Sequence, residues 1–430
     1  MLFLGQKRRW LVTGAWAIVE HALFALGNFT INLLLARWLA PAVYGEFAIA
    51  FSILLLVGAF HRALIVEPMM VFGPQRKREG LRAYYGALLL GHLAFSLAVS
   101  SLLLIGAAVF SWCGQSIMAN AMIVVAGTAP FILFLWQIRQ ACYVQSEART
   151  AAVAGAGYLL LMLLATVVLF EQNRLSTSAA FIIMAGASLI TGVILALRLG
   201  IARSDRQELW QALTDHWRYG SWAAATRIFM WVPANLYYIV LPLFASVADT
   251  AGLKAVMNLL MPVQNMLMAL STVLLPSLVR HRSSARFNQI LKLSAIGFTA
   301  VAVINWLAAA GLGSQILSWA YAGQYDQYSS LLWIAGALPV CTALIAVLGG
   351  TLRAVERPDK IFWAYVAATA ITVTLGMALI ATLGVAGALT GLLLSSVTTV
   401  IVIGLFLRDE PLLPPKEASS QAIGLCEKRA

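Results

Sequence analysis

Residues 361–407 read IFWAYVAATAITVTLGMALIATLGVAGALTGLLLSSVTTVIVIGLFL. One membrane span takes about 20 mostly apolar residues, so this run is long enough for two. It divides at Leu383-Gly384-Val385 into spans at roughly 361–382 and 386–407, joined as a tight helical hairpin. In a hydrocarbon core every backbone N–H and C=O must be satisfied internally, and a continuous apolar run does this as an α-helix.

Working outward, further runs of the same kind lie at roughly 12–36, 46–70, 83–110, 117–138, 150–170, 178–199, 220–245, 255–279, 289–311 and 330–352. The expectation is an all-α integral membrane protein with twelve transmembrane helices. Composition agrees. Of 430 residues 61% are hydrophobic and 11% charged, with a mean hydropathy of +0.86; a soluble domain carries roughly 25% charged residues. Lys7-Arg8-Arg9-Trp10 ahead of an apolar run resembles the start of a signal peptide. That run continues to about Leu39 and carries Glu20 and His21, so it reads as a first spanning helix.

Charge orients the chain. With the N-terminus inside, 24 of the 29 Lys and Arg residues fall on the cytoplasmic side, while Arg37, Arg174 and Lys254 fall outside and Arg62 and Arg227 lie within spans. Such asymmetry predicts a membrane protein with both termini in the cytoplasm. It also accounts for the net charge of +12 without nucleic acid as a partner.

The same layout predicts an N-terminal lobe over 1–210, a C-terminal lobe over 211–407 and a disordered cytoplasmic tail over 408–430. Within the connection 198–219, Glu208 to Leu213 reads as an amphipathic interfacial helix. The longest outer loop lies near 311–329. Sliding the chain on itself by 207 residues sets Asn28 on Asn235, Gly45 on Gly252 and Glu20 on Arg227. An even number of spans per half makes these parallel repeats about an axis along the membrane normal. Any two hydrophobic hairpins also align loosely, which is the plainer account of the match.

Between the first two spans the chain reads Ala36-Arg37-Trp38-Leu39-Ala40-Pro41-Ala42-Val43-Tyr44-Gly45-Glu46-Phe47-Ala48. This resembles the signature between the first two helices of polysaccharide transporters in the multidrug/oligosaccharidyl-lipid/polysaccharide exporter superfamily. Pro41 and Tyr44-Gly45 match it, and Ala40 replaces the usual Gly. The resemblance implies two six-helix lobes around a central cavity that opens alternately to each side. It also implies a place in the bacterial cytoplasmic membrane and a lipid-linked oligosaccharide as substrate, since that branch moves undecaprenyl-diphosphate-linked sugars from the cytoplasmic to the periplasmic leaflet for surface polysaccharide synthesis.

The residues show no catalytic constellation. The chain lacks a GxxxxGK loop, its five His residues are not at metal spacing, and its four Cys residues form no CxxC. No outer loop is large enough to hold polymerase chemistry. The expectation is a non-enzyme without cofactors.

Charges inside spans are the informative feature, because a charge at mid-bilayer costs about 2.5–3.5 kcal/mol on insertion scales and is kept only with a partner or a wet cavity. Glu20, Arg62 and Arg227 fall at similar depth, about 12 Å from the cytoplasmic end at 1.5 Å per residue. Either the two Arg residues receive a diphosphate with Glu20 holding them, or the charges form a structural salt bridge. Polar stripes accompany them: His21, Asn28 and Asn32; Trp231, Asn235 and Tyr238 beside Arg227; and Asn258, Asn265 and Thr272 around Pro262. These faces suit sugar hydroxyls, and they equally suit interhelical hydrogen bonds. Pro233, Pro242, Pro262 and Pro276 predict kinks. Glu67-Pro68 and the run 75–78 are expected at the inner surface against anionic lipid.

Three functions fit. A lipid-linked oligosaccharide flippase needs a cationic cavity, whereas a cation-coupled drug or small-solute exporter needs an acidic one. A non-transporting scaffold of a glycan polymerase or glycosyltransferase complex would tolerate loss of every cavity charge. One deep acid against two Arg residues favours the flippase.

Overall fold

The structure is a computed structural model and describes residues 2–76, 78–145, 147–282, 284 and 286–409; within these, residues 2–15, 17, 18, 20, 21, 78, 79 and 272 are described by backbone alone. The described chain is helical and contains no strand. Its elements are α1 (Leu2–Trp38), α2 (Pro41–His61), α3 (Glu67–Phe72), α4 (Arg78–Trp112), α5 (Ser116–Val144), α6 (Ala148–Glu171) and α7 (Thr177–Leu199). Then follow α8 (Arg206–Phe244), α9 (Val247–Arg280), α10 (Arg286–Tyr321), α11 (Leu332–Ala335), α12 (Leu338–Ala354), α13 (Pro358–Ile371) and α14 (Met377–Arg408).

Ten helical stretches among the described residues are long and apolar enough to cross a membrane, and Ala22–Trp38 is a shorter apolar one. One of the ten, Pro358–Arg408, breaks at Gly384, where φ 55° and ψ −124° leave the helical region. A side chain at such a φ is strained, so glycine is the residue that makes this turn. Large apolar side chains face outward along α4, with Leu97 71% and Leu102 66% exposed. A water-facing surface rarely carries contiguous apolar patches, and a lipid-facing one does. The chain is an all-helical, multi-pass membrane protein.

Two compact units divide the described chain. One comprises Met1–Trp231 with Asn235–Ala255, the other Val256–Ala430 with Val232–Ala234. Nearly all of α8 and the start of α9 lie in the first unit. That unit is centred on Tyr44, Phe47, Leu54, Tyr84 and Phe181, all fully buried. Trp38 stacks on Phe170 with ring centroids 4.2 Å apart, fixing α1 to α6. Pro130 interrupts α5, which deprives the Ala126 carbonyl of its helical donor; the Ser100 hydroxyl donates to it at 2.7 Å. The second unit has its own core of Leu267, Leu278, Phe287, Ala302 and Val347.

Three expectations are corrected. The segment 208–213 is not a separate interfacial helix. It is the first part of α8, which starts at the Asp205 cap, whose carboxylate accepts from the Glu208 N–H at 2.7 Å, and runs through Gly220, Pro233 and Pro242 to Phe244 as one helix. The loop expected near 311–329 is mostly structured, since α10 continues to Tyr321 and a 3-10 turn occupies Asp326–Leu331. The run 46–70 is not a plain α-helix: a π-helical turn over Arg62–Val66 separates α2 from α3. The tail expectation, on 408–430, lies almost wholly outside the described residues.

Candidate functional site

The π-turn exists because of Pro68. Proline lacks an N–H, so the Leu64 carbonyl four residues earlier loses its helical donor. His216 of α8 supplies one, its Nδ1 lying 3.1 Å from Leu64 O. Nδ1 therefore carries the proton, and the other ring nitrogen, Nε2, accepts from the Tyr84 hydroxyl at 2.7 Å. Gly220 lets α8 come this close, since a Cβ there would meet the Ala63 carbonyl and the Leu64 Cα. The π-turn re-aims the chain after it, as such turns do at functional sites.

What it aims is Glu67. This carboxylate takes a guanidinium N–H of Arg227 and lies 3.4 Å from Arg62 Nε. Side chains lean toward the N-terminus of their own helix. On antiparallel neighbours such as α3 and α8, Glu67 and Arg227 consequently lean toward each other. Their side chains are 23% and 32% exposed, against 56% for Arg62. Two cations thus share one anion, and one positive charge remains over.

The carboxylate was expected elsewhere. Glu67 is not a lipid-facing surface residue: it lies inside the helical run, and it holds the Arg227 that the sequence paired with Glu20. The Glu20 side chain, like those of His21 and Thr272, lies outside the described residues.

The remaining expected residues fall into place as follows. Trp231 is buried, and its indole N–H donates to the Ser52 carbonyl at 3.1 Å. Asn235 is half-buried, its amide 3.4 Å from the Trp231 carbonyl. Tyr238 is buried, with Lys254 Nζ 5.4 Å from its ring centre. Asn32 is buried, and its amide donates to the Asn28 carbonyl at 2.8 Å. Asn28 itself is half-buried. In the second unit Asn258 is buried with its side chain hydrogen-bonded to Tyr321, and Asn265 is half-buried.

Sequence reasoning missed several partners. His61 and His92 are buried and joined Nε2 to Nδ1 at 2.9 Å, with His92 Nε2 donating to the Pro130 carbonyl at 3.1 Å. Arg139 is buried and stacks on Phe24 at 3.8 Å. A Glu-Pro pair inside an apolar run was the available signal for Glu67. The His pair, thirty-one positions apart, left none. Among the described residues no group of three His, Cys, Asp or Glu side chains could hold a metal ion.

No family model matches the chain, and no curated protein matches it. Solved structures do. The lipid II flippase MurJ, in an inward closed conformation, superposes with a TM-score of 0.73 at 12% identity, covering 94% of this chain and 88% of that one. A multidrug resistance MATE family transporter in an inward-facing conformation gives 0.69 at 16%, covering 91% and 97%. A transporter from Pyrococcus furiosus, described as having a binding pocket of reversed polarity, gives 0.65 at 14%, covering 94% and 95%. At such identities the likeness is one of fold, and by it this chain has the fold of the transporters of the MOP superfamily.

Proposed function

We propose that this protein is a transporter that moves a lipid-linked oligosaccharide, held by its diphosphate, across the bacterial cytoplasmic membrane for surface polysaccharide synthesis. The observation that carries this reading is the sharing of Glu67 by Arg62 and Arg227. A lone cation within an apolar span is costly, so Glu67 stabilises the empty site. The unpaired positive charge still favours an anion over a cation. A diphosphate offers more charge and more acceptor oxygens than one carboxylate, so it displaces Glu67 and receives charge-assisted, bidentate hydrogen bonds from guanidinium groups. Exchange of partners gives the site a loaded and an unloaded state, which alternating access requires. No covalent chemistry is involved. The likeness to MurJ supports a lipid-linked cargo. The MATE likeness keeps the cation-coupled drug exporter as a second reading, and the sign of the charge at this site weighs against it.

The test is export. In a strain carrying each variant at matched membrane levels, Arg227→Ala should abolish surface glycan and leave lipid-linked oligosaccharide accumulating on the cytoplasmic leaflet. Arg227→Lys should retain part of the activity, because it keeps the charge and loses the fork. Export at the wild-type level by Arg227→Ala would remove the residue from the mechanism and leave a structural salt bridge.

A further inference from the structure

We propose that Lys254, between the rings of Phe51 and Tyr238, is a second station for the same diphosphate. This rests on the reading of Arg62 and Arg227 as its first. Lys254 sits two turns into α9, and its ammonium lies 5.0 Å from the Phe51 ring centre and 5.4 Å from that of Tyr238. Among the described residues it makes no ion pair. Asp249 on the same helix spends its carboxylate on the N–H and hydroxyl of Ser246, at 2.8 and 2.6 Å. The half-buried Glu46 of α2 does not close on Lys254. Aromatic faces attract a cation more weakly than an anion does, and they leave the three ammonium donors without acceptors. Such an amine is held in place and still able to bind.

Its position gives the inference its content. Phe51 and Arg62 are eleven residues apart on the α2 run, and so are Arg227 and Tyr238 on α8. At 1.5 Å per residue each interval is about 16 Å, so two antiparallel helices carry both cationic stations at matched spacing. With the orientation expected from the basic residues, the Arg62 station lies in the cytoplasmic half and the Lys254 station toward the outer side. The stations differ in one respect. Arg62 and Arg227 are already engaged by Glu67, which competes for them and returns when the diphosphate leaves. Lys254 has no such competitor. An anion passing from the first to the second moves from a contested cation to an uncontested one. The compact ammonium is a point charge without the planar fork, which suits a headgroup that must leave again.

The experiment uses the purified full chain in detergent, with farnesyl diphosphate as probe and affinity read by calorimetric titration. Inorganic pyrophosphate and farnesol form separate arms, and thermal unfolding is followed for every variant. Lys254→Met should weaken farnesyl diphosphate binding roughly tenfold, the scale of one charge-assisted contact, and Lys254→Arg should restore most of it. Farnesol should be indifferent to both changes. Lys254→Met with wild-type affinity, beside an Arg227→Ala variant that has lost binding, would overturn the second station and leave the first standing. Loss of binding and of thermal stability together in Lys254→Met and Lys254→Arg would make Lys254 structural and overturn it too. Pyrophosphate bound as tightly as the lipid, with the same Lys254 dependence, would overturn a lipid-borne headgroup. No binding of farnesyl diphosphate by the wild type would overturn both stations.

Discussion

At the scale of single residues the chemistry turns on which carboxylate faces Arg227. Glu67 does, with Arg62 3.4 Å from the same oxygen. Removing the anion leaves two guanidinium groups facing each other, and removing Arg227 leaves Glu67 with a single, more exposed partner. Glu67→Gln and Arg227→Ala should therefore each lower the unfolding temperature. The double variant should lose less than the sum, by about 1 kcal/mol of coupling; strict additivity in the thermal double-mutant cycle would show that the two side chains do not interact. Both Arg residues were legible from the sequence, because a charge within an apolar span draws notice whatever the fold. Their partner was not. Depth counted at a uniform rise treats the run 46–70 as one straight helix and leaves Glu67 at its margin. The turn that Pro68 imposes, and the lean of the side chain on α3, swing it toward Arg227.

At the scale of elements, close approaches decide which helices pack. A Cβ on Gly45 would meet the carbonyl and Cγ1 of Val247, where α9 begins. Backbone cannot step aside as a side chain can, so Gly45→Ala should destabilise the protein by about 2 kcal/mol, the middle of the range for overpacking. Gly127 on α5 has open space around it and serves as the control. Gly127→Ala should be neutral or slightly stabilising, since alanine is the better helix former. Retention of activity after heating in detergent compares the two, and equal behaviour would refute the packing account. Tyr44-Gly45 stood out in the sequence only as a matching pair. The structure supplies the reason, which is that α2 and α9 touch where the side chain is missing. Helix existence was legible throughout because apolar runs of span length admit little else. The π-turn and the unbroken α8 were not, because Leu64 and His216 are bonded across 152 positions that no local periodicity connects.

For the whole molecule, the proposed orientation rests on the basic residues, 24 of 29 on one side. Reporter fusions at Gln172, Gly323 and Gly384 should report the periplasm, and fusions at Arg78, Asp205, Arg282 and Asp359 the cytoplasm. Two or more reversed reporters would break the twelve-helix arrangement. The first compact unit takes in Asn235–Ala255 as well as the residues up to Trp231. That has a bearing on how the protein is made. When a ribosome has delivered only the first 210 residues, Glu67 has no Arg227, the carbonyls of Leu64 and Ser52 have neither His216 nor Trp231, and the notch at Gly45 has nothing to fill it. The nascent N-terminal helices must wait in the bilayer, incomplete, until the chain has been read some forty-five codons further.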